Sequence, residues 1–126
     1  MNFYNVFVYG TLRKGGINHH IIKTCECISD QYVLKGFSLY DFEQWYPYMI
    51  KSANDDFVIG EIYQVDEKVK RKLDILEDVE NNLYKFIYLP SDEFYTYIKY
   101  DKNVKNYQKV HSGDWIAYVR LISNAG

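Results

Sequence analysis

Apolar residues recur along this chain with two different periods. From Phe3 to Tyr9 an extended apolar run breaks at Gly10 and passes into Thr11–Leu12–Arg13–Lys14–Gly15–Gly16. That pattern predicts a first strand ending in a glycine turn. Tyr32–Val33–Leu34 opens another extended segment, interrupted by Gly36 before Phe37–Ser38–Leu39–Tyr40. Trp45 to Ile50 reads as a short strand entered through Pro47, and Ala53–Asn54–Asp55–Asp56 as a turn. The clearest strand after the first is Phe57 to Val65. Strands are also expected over residues 83–89, 94–100 and 115–121, with turns at Pro90–Ser91–Asp92 and His111–Ser112–Gly113–Asp114. Residues 16–28 fit either a short helix or a loop, with Ile17, Ile21 and Ile22 able to face a core.

The other period is helical. Asp66 is a candidate N-cap, Glu67 suits the first turn, and Lys68 to Val79 contains neither glycine nor proline. Val69, Leu73 and Leu76 share one face, which Ile75 and Val79 widen before Asn81–Asn82 ends the segment. Many short strands around one good helix predict an α+β fold: a single domain over residues 1–126, with a curled mixed sheet or small β-barrel and one main helix.

Composition narrows the function classes. The 126 residues are 48% hydrophobic and 18% aromatic, too apolar for a disordered chain. Fourteen tyrosines are unusual; their rings suit a core and their hydroxyls need partners, so many are expected at the rim of a barrel or pocket. A net charge of −2 argues against a nucleic-acid binder, the other common use of tyrosine stacking. The sequence shows no signal-peptide pattern and no apolar stretch long enough for a membrane helix, so a cytoplasmic protein is expected. Cys25 and Cys27 alternate on one segment, a poor disulfide geometry and too few ligands for zinc; they are expected to be reduced and structural, with no metal bound.

Two features bear chemistry. A strand that stops at Gly10 leaves consecutive backbone N–H groups without sheet partners, and such a concave run suits a carboxylate or phosphate. An ordinary strand-to-turn junction gives the same local pattern. On the helix, Glu77 follows Leu73 by four residues and falls at the edge of the apolar face. Partial burial would raise its pKa and make it a proton acceptor near neutral pH, whereas by position alone it equally fits a solvated glutamate beside Lys70 and Lys72. Glu61 sits in the strongest inner strand, on the opposite face from Ile62.

Taken together, Val6–Phe7–Val8–Tyr9–Gly10–Thr11–Leu12–Arg13–Lys14–Gly15 and Asn18–His19 resemble the gamma-glutamylcyclotransferase-like superfamily, closest to gamma-glutamylamine cyclotransferase and its small bacterial relatives. Gly60–Glu61–Ile62–Tyr63, Leu73–Asp74–Ile75–Leu76–Glu77 with Leu83–Tyr84, and Gly113–Asp114–Trp115 with Tyr118 agree in order and spacing. One departure is Phe86, two residues after Tyr84, where that family often has arginine.

The resemblance implies the gamma-glutamylcyclotransferase-like fold and a cofactor-free reaction on a small-molecule gamma-glutamyl amide. The substrate's own α-amine attacks its γ-carbonyl, giving 5-oxoproline and a free amine. It implies Glu77 as the catalytic base and acid, and Tyr9, Gly10, Thr11 and Leu12 as the grip on the glutamyl head. Tyr84, Tyr118 and Asn18 are further candidates for shaping the cavity, while Arg13 and Lys14 are expected to face solvent. The alternative is a non-catalytic binding module that keeps the gamma-glutamyl pocket. A tyrosine-rich surface for single-stranded RNA ranks below both.

Overall fold

A computed structural model describes residues 2–42, 46–52 and 55–125. The expectations for Trp45 and for the Ala53–Asn54 half of the turn lie outside the described residues. The apolar run at the start forms β1 (Phe3–Val8), paired antiparallel with β5 (Phe57–Asp66) from Phe3↔Asp66 to Val8↔Glu61. Its other edge runs parallel to β7 (Phe94–Lys99) at Val6↔Tyr95 and Phe7↔Thr96. With β2 (Glu26–Lys35) beyond β5 and β6 (Tyr84–Leu89) beyond β7, the mixed sheet has the order β2-β5-β1-β7-β6. A second, three-stranded sheet is ordered β4-β3-β8, from β3 (Phe37–Phe42), β4 (Tyr46–Lys51) and β8 (Gln108–Lys109).

The second half of β1, Val6 to Val8, is buried on both faces, which explains why its sequence there is an apolar run and not an alternation. Val6 and Val8 join Tyr63, Val65, Tyr84 and Tyr97 in one core. Phe7 and Tyr9 join Leu34, Leu39, Met49 and Trp115 in the other. Gly60 in β5 permits this close pairing, because a side chain there would run into the Val8 carbonyl and the Phe7 ring.

The helix α1 (Glu67–Leu76) begins as its sequence predicts, with the Asp66 carboxylate accepting from the Val69 N–H at 2.8 Å. Leu73, fully buried, docks it on the Val6–Val8 face of the sheet. It ends earlier than the apolar pattern suggests. Glu77 is the C-cap, Asp78 turns left-handed at φ 51°, and a 3₁₀ turn over Val79–Asn81 leads to Asn82 at φ 60°.

The mixed α+β fold is as expected; of the two sheet forms foreseen, the mixed sheet is the one present, and no closed barrel forms among the described residues. The short strand β8 was not foreseen, since two residues carry no period. Residues 115–121 are not a strand but most of a second helix, α2 (Trp115–Ala125). Its apolar positions are helically spaced: Trp115, Tyr118 and Val119 face the core, while Ala117, Arg120 and Leu121 are exposed. Asp114 caps it by accepting from the Ala117 N–H at 3.1 Å, so the Gly113–Asp114 pair marked a helix start as well as a turn.

Truncating the residue that anchors α1 tests this packing. Leu73→Ala is expected to lower stability by about 2–5 kcal/mol in urea unfolding; a loss under about 1 kcal/mol would mean that α1 is not held by this face.

Candidate active site

At the end of β1 the chain leaves the sheet while still buried. Gly10 is required by packing, because a side chain there would collide with the Pro47 ring of β4. Gly16 is required by the loop itself, because a Cβ would strike the Thr11 carbonyl. The loop closes through Arg13 N–H to the Gly10 carbonyl at 3.0 Å and Asn18 N–H to the Thr11 carbonyl at 2.9 Å. Asn18 also donates from Nδ2 to Thr11 Oγ1 at 3.0 Å, and His19 Nδ1 donates to the Leu12 carbonyl at 2.9 Å. Among the described residues, no backbone bond is made by the N–H groups of Gly10, Thr11 or Leu12. They are the donor run anticipated from the sequence.

Arg13 does not face solvent, which corrects the expectation. Its Nε donates to Glu61 at 2.9 Å and its Nη1 to Asp114 at 2.9 Å. The side chain of Glu61 is 3% exposed, and it also accepts from the Lys14 N–H at 3.0 Å and the Tyr63 hydroxyl at 2.8 Å. A carboxylate so far from water requires this set of donors, and meeting it draws Arg13 inward. Only the Lys14 side chain remains exposed.

Glu77 stands across a cavity of ≈ 50 Å³ from the loop. Tyr9, Gly10, Thr11, Leu12, Asn18 and Tyr84 line the cavity with it. The structure therefore brings together every sequence-predicted site residue except Tyr118, whose hydroxyl donates to Asp41 at 2.7 Å beside Trp115. Tyr118 sits on α2, a helix and not the expected strand, and this carries it to the other core.

Burial pushes the Glu77 carboxyl up to about 8. The residue is half-buried, since the cavity admits water, but no hydrogen bond or ion pair to its carboxylate is made among the described residues. Desolvation without compensation is what raises it. Its neighbours are tyrosines already engaged elsewhere. Tyr84 donates to the Pro47 carbonyl at 2.7 Å, Tyr9 to the Tyr97 carbonyl at 2.8 Å, and Tyr97 to Asp74 at 2.6 Å. Asp74 is in turn paired with Lys70 at 2.8 Å.

Sequence reasoning missed Tyr97 and Pro47, both in the cavity wall. Asp74 offered the one available signal for Tyr97: it precedes Glu77 by three residues and so shares its side of α1. Phe86 is not itself in the cavity lining but packs on Tyr97, which is, at 4.8 Å between ring centroids; it also stacks on Tyr95 at 4.7 Å, with Lys70 Nζ 4.5 Å from its ring centroid.

The chain is similar in sequence and in fold to known proteins. The family model described as "Gamma-glutamyl cyclotransferase, AIG2-like" matches residues 6–117. A Vibrio cholerae protein named "Putative gamma-glutamylcyclotransferase" is 35% identical over 111 residues, covering 87% of this chain and 93% of its own length. The "Gamma-L-glutamyl-butirosin B gamma-glutamyl cyclotransferase" of Niallia circulans is 38% identical over 74 residues, 59% of this chain and 46% of that protein. In fold, the chain resembles an uncharacterized protein of Pyrococcus horikoshii, with a TM-score of 0.76, 22% identity and 97% of each chain covered.

Two outcomes are expected. The unfolded Glu77 carboxyl titrates near 4.5 and the folded one near 8. Between those values the folded state alone holds the proton, so this group's contribution to stability is full below about pH 4.5 and is lost as pH rises through 8. The stability gap between Glu77→Gln and wild type should widen over that window, at up to about 1.4 kcal/mol per pH unit in urea unfolding; a constant gap would show an ordinary carboxyl. Arg13→Ala, which removes the ion-pair partner of the buried Glu61 and leaves it only the Lys14 N–H and the Tyr63 hydroxyl, should cost about 3–5 kcal/mol, and a neutral result would deny the clamp.

Proposed function

The chain belongs to the gamma-glutamyl cyclotransferase, AIG2-like family, and on that premise we propose that it converts gamma-glutamyl amides to 5-oxoproline and a free amine with Glu77 as base and acid. The observation that carries this reading is a carboxyl raised to about 8 by burial, lining the same cavity as a loop whose Gly10, Thr11 and Leu12 N–H groups make no backbone hydrogen bond among the described residues.

In this reading the N–H groups of Gly10, Thr11 and Leu12 hold the substrate's α-carboxylate. The glutamyl chain is then folded back on itself, and that orientation supplies several kcal/mol of the barrier reduction. Ionised Glu77 takes a proton from the α-ammonium. The freed amine attacks the γ-carbonyl carbon, a new C–N bond closes the five-membered lactam, and the old amide C–N bond breaks. Glu77 gives that proton to the departing nitrogen as the amide bond breaks. It then takes the second proton that the new ring nitrogen must lose and passes it to the released amine, which leaves as an ammonium and restores the carboxylate. The nucleophile is part of the substrate, so the protein's task is to orient the chain and to relay two protons from the attacking to the leaving nitrogen.

A non-catalytic binding module drew its motive from Phe86. That residue is outside the cavity lining, packed on the lining residue Tyr97 at 4.8 Å between ring centroids, and the product assay below distinguishes this alternative from the enzyme.

The test is to incubate the purified protein with a panel of gamma-glutamyl amines and gamma-glutamyl amino acids and to detect 5-oxoproline by mass spectrometry. Wild type should yield product, and Glu77→Gln should turn over at least about 10²-fold more slowly. A fully active Glu77→Gln would sink the assignment of the base, and no product from any substrate would sink the activity. The pH profile carries a second expectation. Because kcat/KM reports the free enzyme, its rising limb should lie near the Glu77 value of about 8. The kcat limb should fall lower, since a bound ammonium favours the ionised carboxylate.

A further inference from the structure

Of the cations on α1, Lys68, Arg71 and Lys72 are exposed, whereas Lys70 is half-buried. Helix formation does not account for its place, since a lysine four residues before an acidic partner is the weaker order for such a pair. Its tertiary contacts do. The ammonium donates to Asp74 Oδ2 at 2.8 Å and stands 4.5 Å from the Phe86 ring centroid and 5.6 Å from that of Tyr4. Two of these contacts lead to one further residue. Asp74 Oδ1 accepts the Tyr97 hydroxyl at 2.6 Å, and Phe86 packs on the Tyr97 ring at 4.8 Å between centroids. Tyr97 is thus held at its hydroxyl by one neighbour of Lys70 and at its ring by another. Burial first, and then the bond to Asp74, push the Tyr97 hydroxyl above its ordinary range, so it stays a donor to that carboxylate. Tyr97 lines the cavity with Glu77, and its backbone carbonyl accepts the Tyr9 hydroxyl at 2.8 Å. Lys70 itself is not in the lining.

We propose that Lys70 is a positioning residue for the cavity, a cation outside the lining that fixes Tyr97 by bracing Asp74 and Phe86 at once. Without the ammonium, Asp74 loses the partner that fixes its rotamer, and its part-exposed side chain is free to turn to water. Tyr97 then loses the acceptor that sets its hydroxyl, and one wall of the cavity is no longer held. A loosened wall degrades the orientation of a bound chain more than its affinity, so the loss falls on turnover and not on KM. The inference deepens the proposed function by adding a residue that acts through the wall, and it rests on that reading for the reaction whose rate is measured.

The experiment has two arms, and the first needs no turnover. Lys70→Met, Tyr97→Phe and the double variant form a cycle in urea unfolding; methionine keeps an unbranched stem over Phe86 and removes the charge. The expected result is non-additive, with Tyr97→Phe costing less once Lys70 is gone. Additive effects would overturn the clamp, and Lys70→Gln serves in the cycle if Lys70→Met does not fold. In the second arm, kinetics are measured with the most active gamma-glutamyl substrate of the panel. Lys70→Met should lower kcat about tenfold while KM stays within about twofold. Lys70→Arg, whose guanidinium can pair with Asp74 and stack on Phe86, should restore kcat. Full kcat in Lys70→Met, or an equal loss in Lys70→Arg, would overturn the positioning role. The readings fail separately: no product from wild type refutes the activity while the cycle still decides the clamp. Turnover with an additive cycle does the reverse.

Discussion

The Glu61 carboxylate, taken almost entirely out of water in β5, is the constraint from which the site follows. Left alone there it would cost several kcal/mol, so donors must be brought to it. Tyr63 comes from the same strand, and the others come from the loop after β1: the Arg13 guanidinium and the Lys14 N–H. The loop that delivers Arg13 turns at Gly10 against the Pro47 ring, and its residues Gly10, Thr11 and Leu12, whose N–H groups make no backbone hydrogen bond among the described residues, line the cavity. Arg13 also reaches Asp114, which caps α2, so one guanidinium ties the loop to both the central sheet and the last helix.

Glu77 is handled in the opposite way. It too is desolvated, but with no hydrogen bond or ion pair to it among the described residues, and its pKa rises accordingly. The helix break achieves this placement. By ending at Leu76 and reversing through Asp78 and Asn82, α1 sets Glu77 at its C-cap beside the cavity and returns the chain directly into β6, where Tyr84 meets it. One carboxylate is buried with partners and serves architecture. The other is desolvated without such partners among the described residues, and its proton is held toward neutral pH.

Much of this was readable along the chain, and the failures have physical causes. The β1 run, the Asp66 cap and the β5 strand are local patterns, and they appear where the sequence indicates. The Tyr9-to-Leu12 turn and Glu77 were singled out through the family resemblance, since by local pattern alone they also read as an ordinary turn and a solvated glutamate. The segment from Trp115 to Leu121 misled because aromatic and branched residues in a short run satisfy both periods. The Asp114 cap, not the run, distinguished them. Arg13 misled because a charged residue in a glycine turn is ordinarily solvated.

The sequence by itself determined the family, the α+β class, the glycine turn and the glutamate at the margin of a helix, because each is encoded within a few neighbouring residues. Only the tertiary structure decided which groups surround that glutamate and which charges are buried. Arg13 finds its partners 48 and 101 residues away, and the Tyr9 hydroxyl finds its acceptor 88 residues away. Periodicity specifies that a face is apolar, but the element that covers it is selected by packing across the whole chain. For that reason the chemistry of Glu77, which desolvation creates, belongs to the fold.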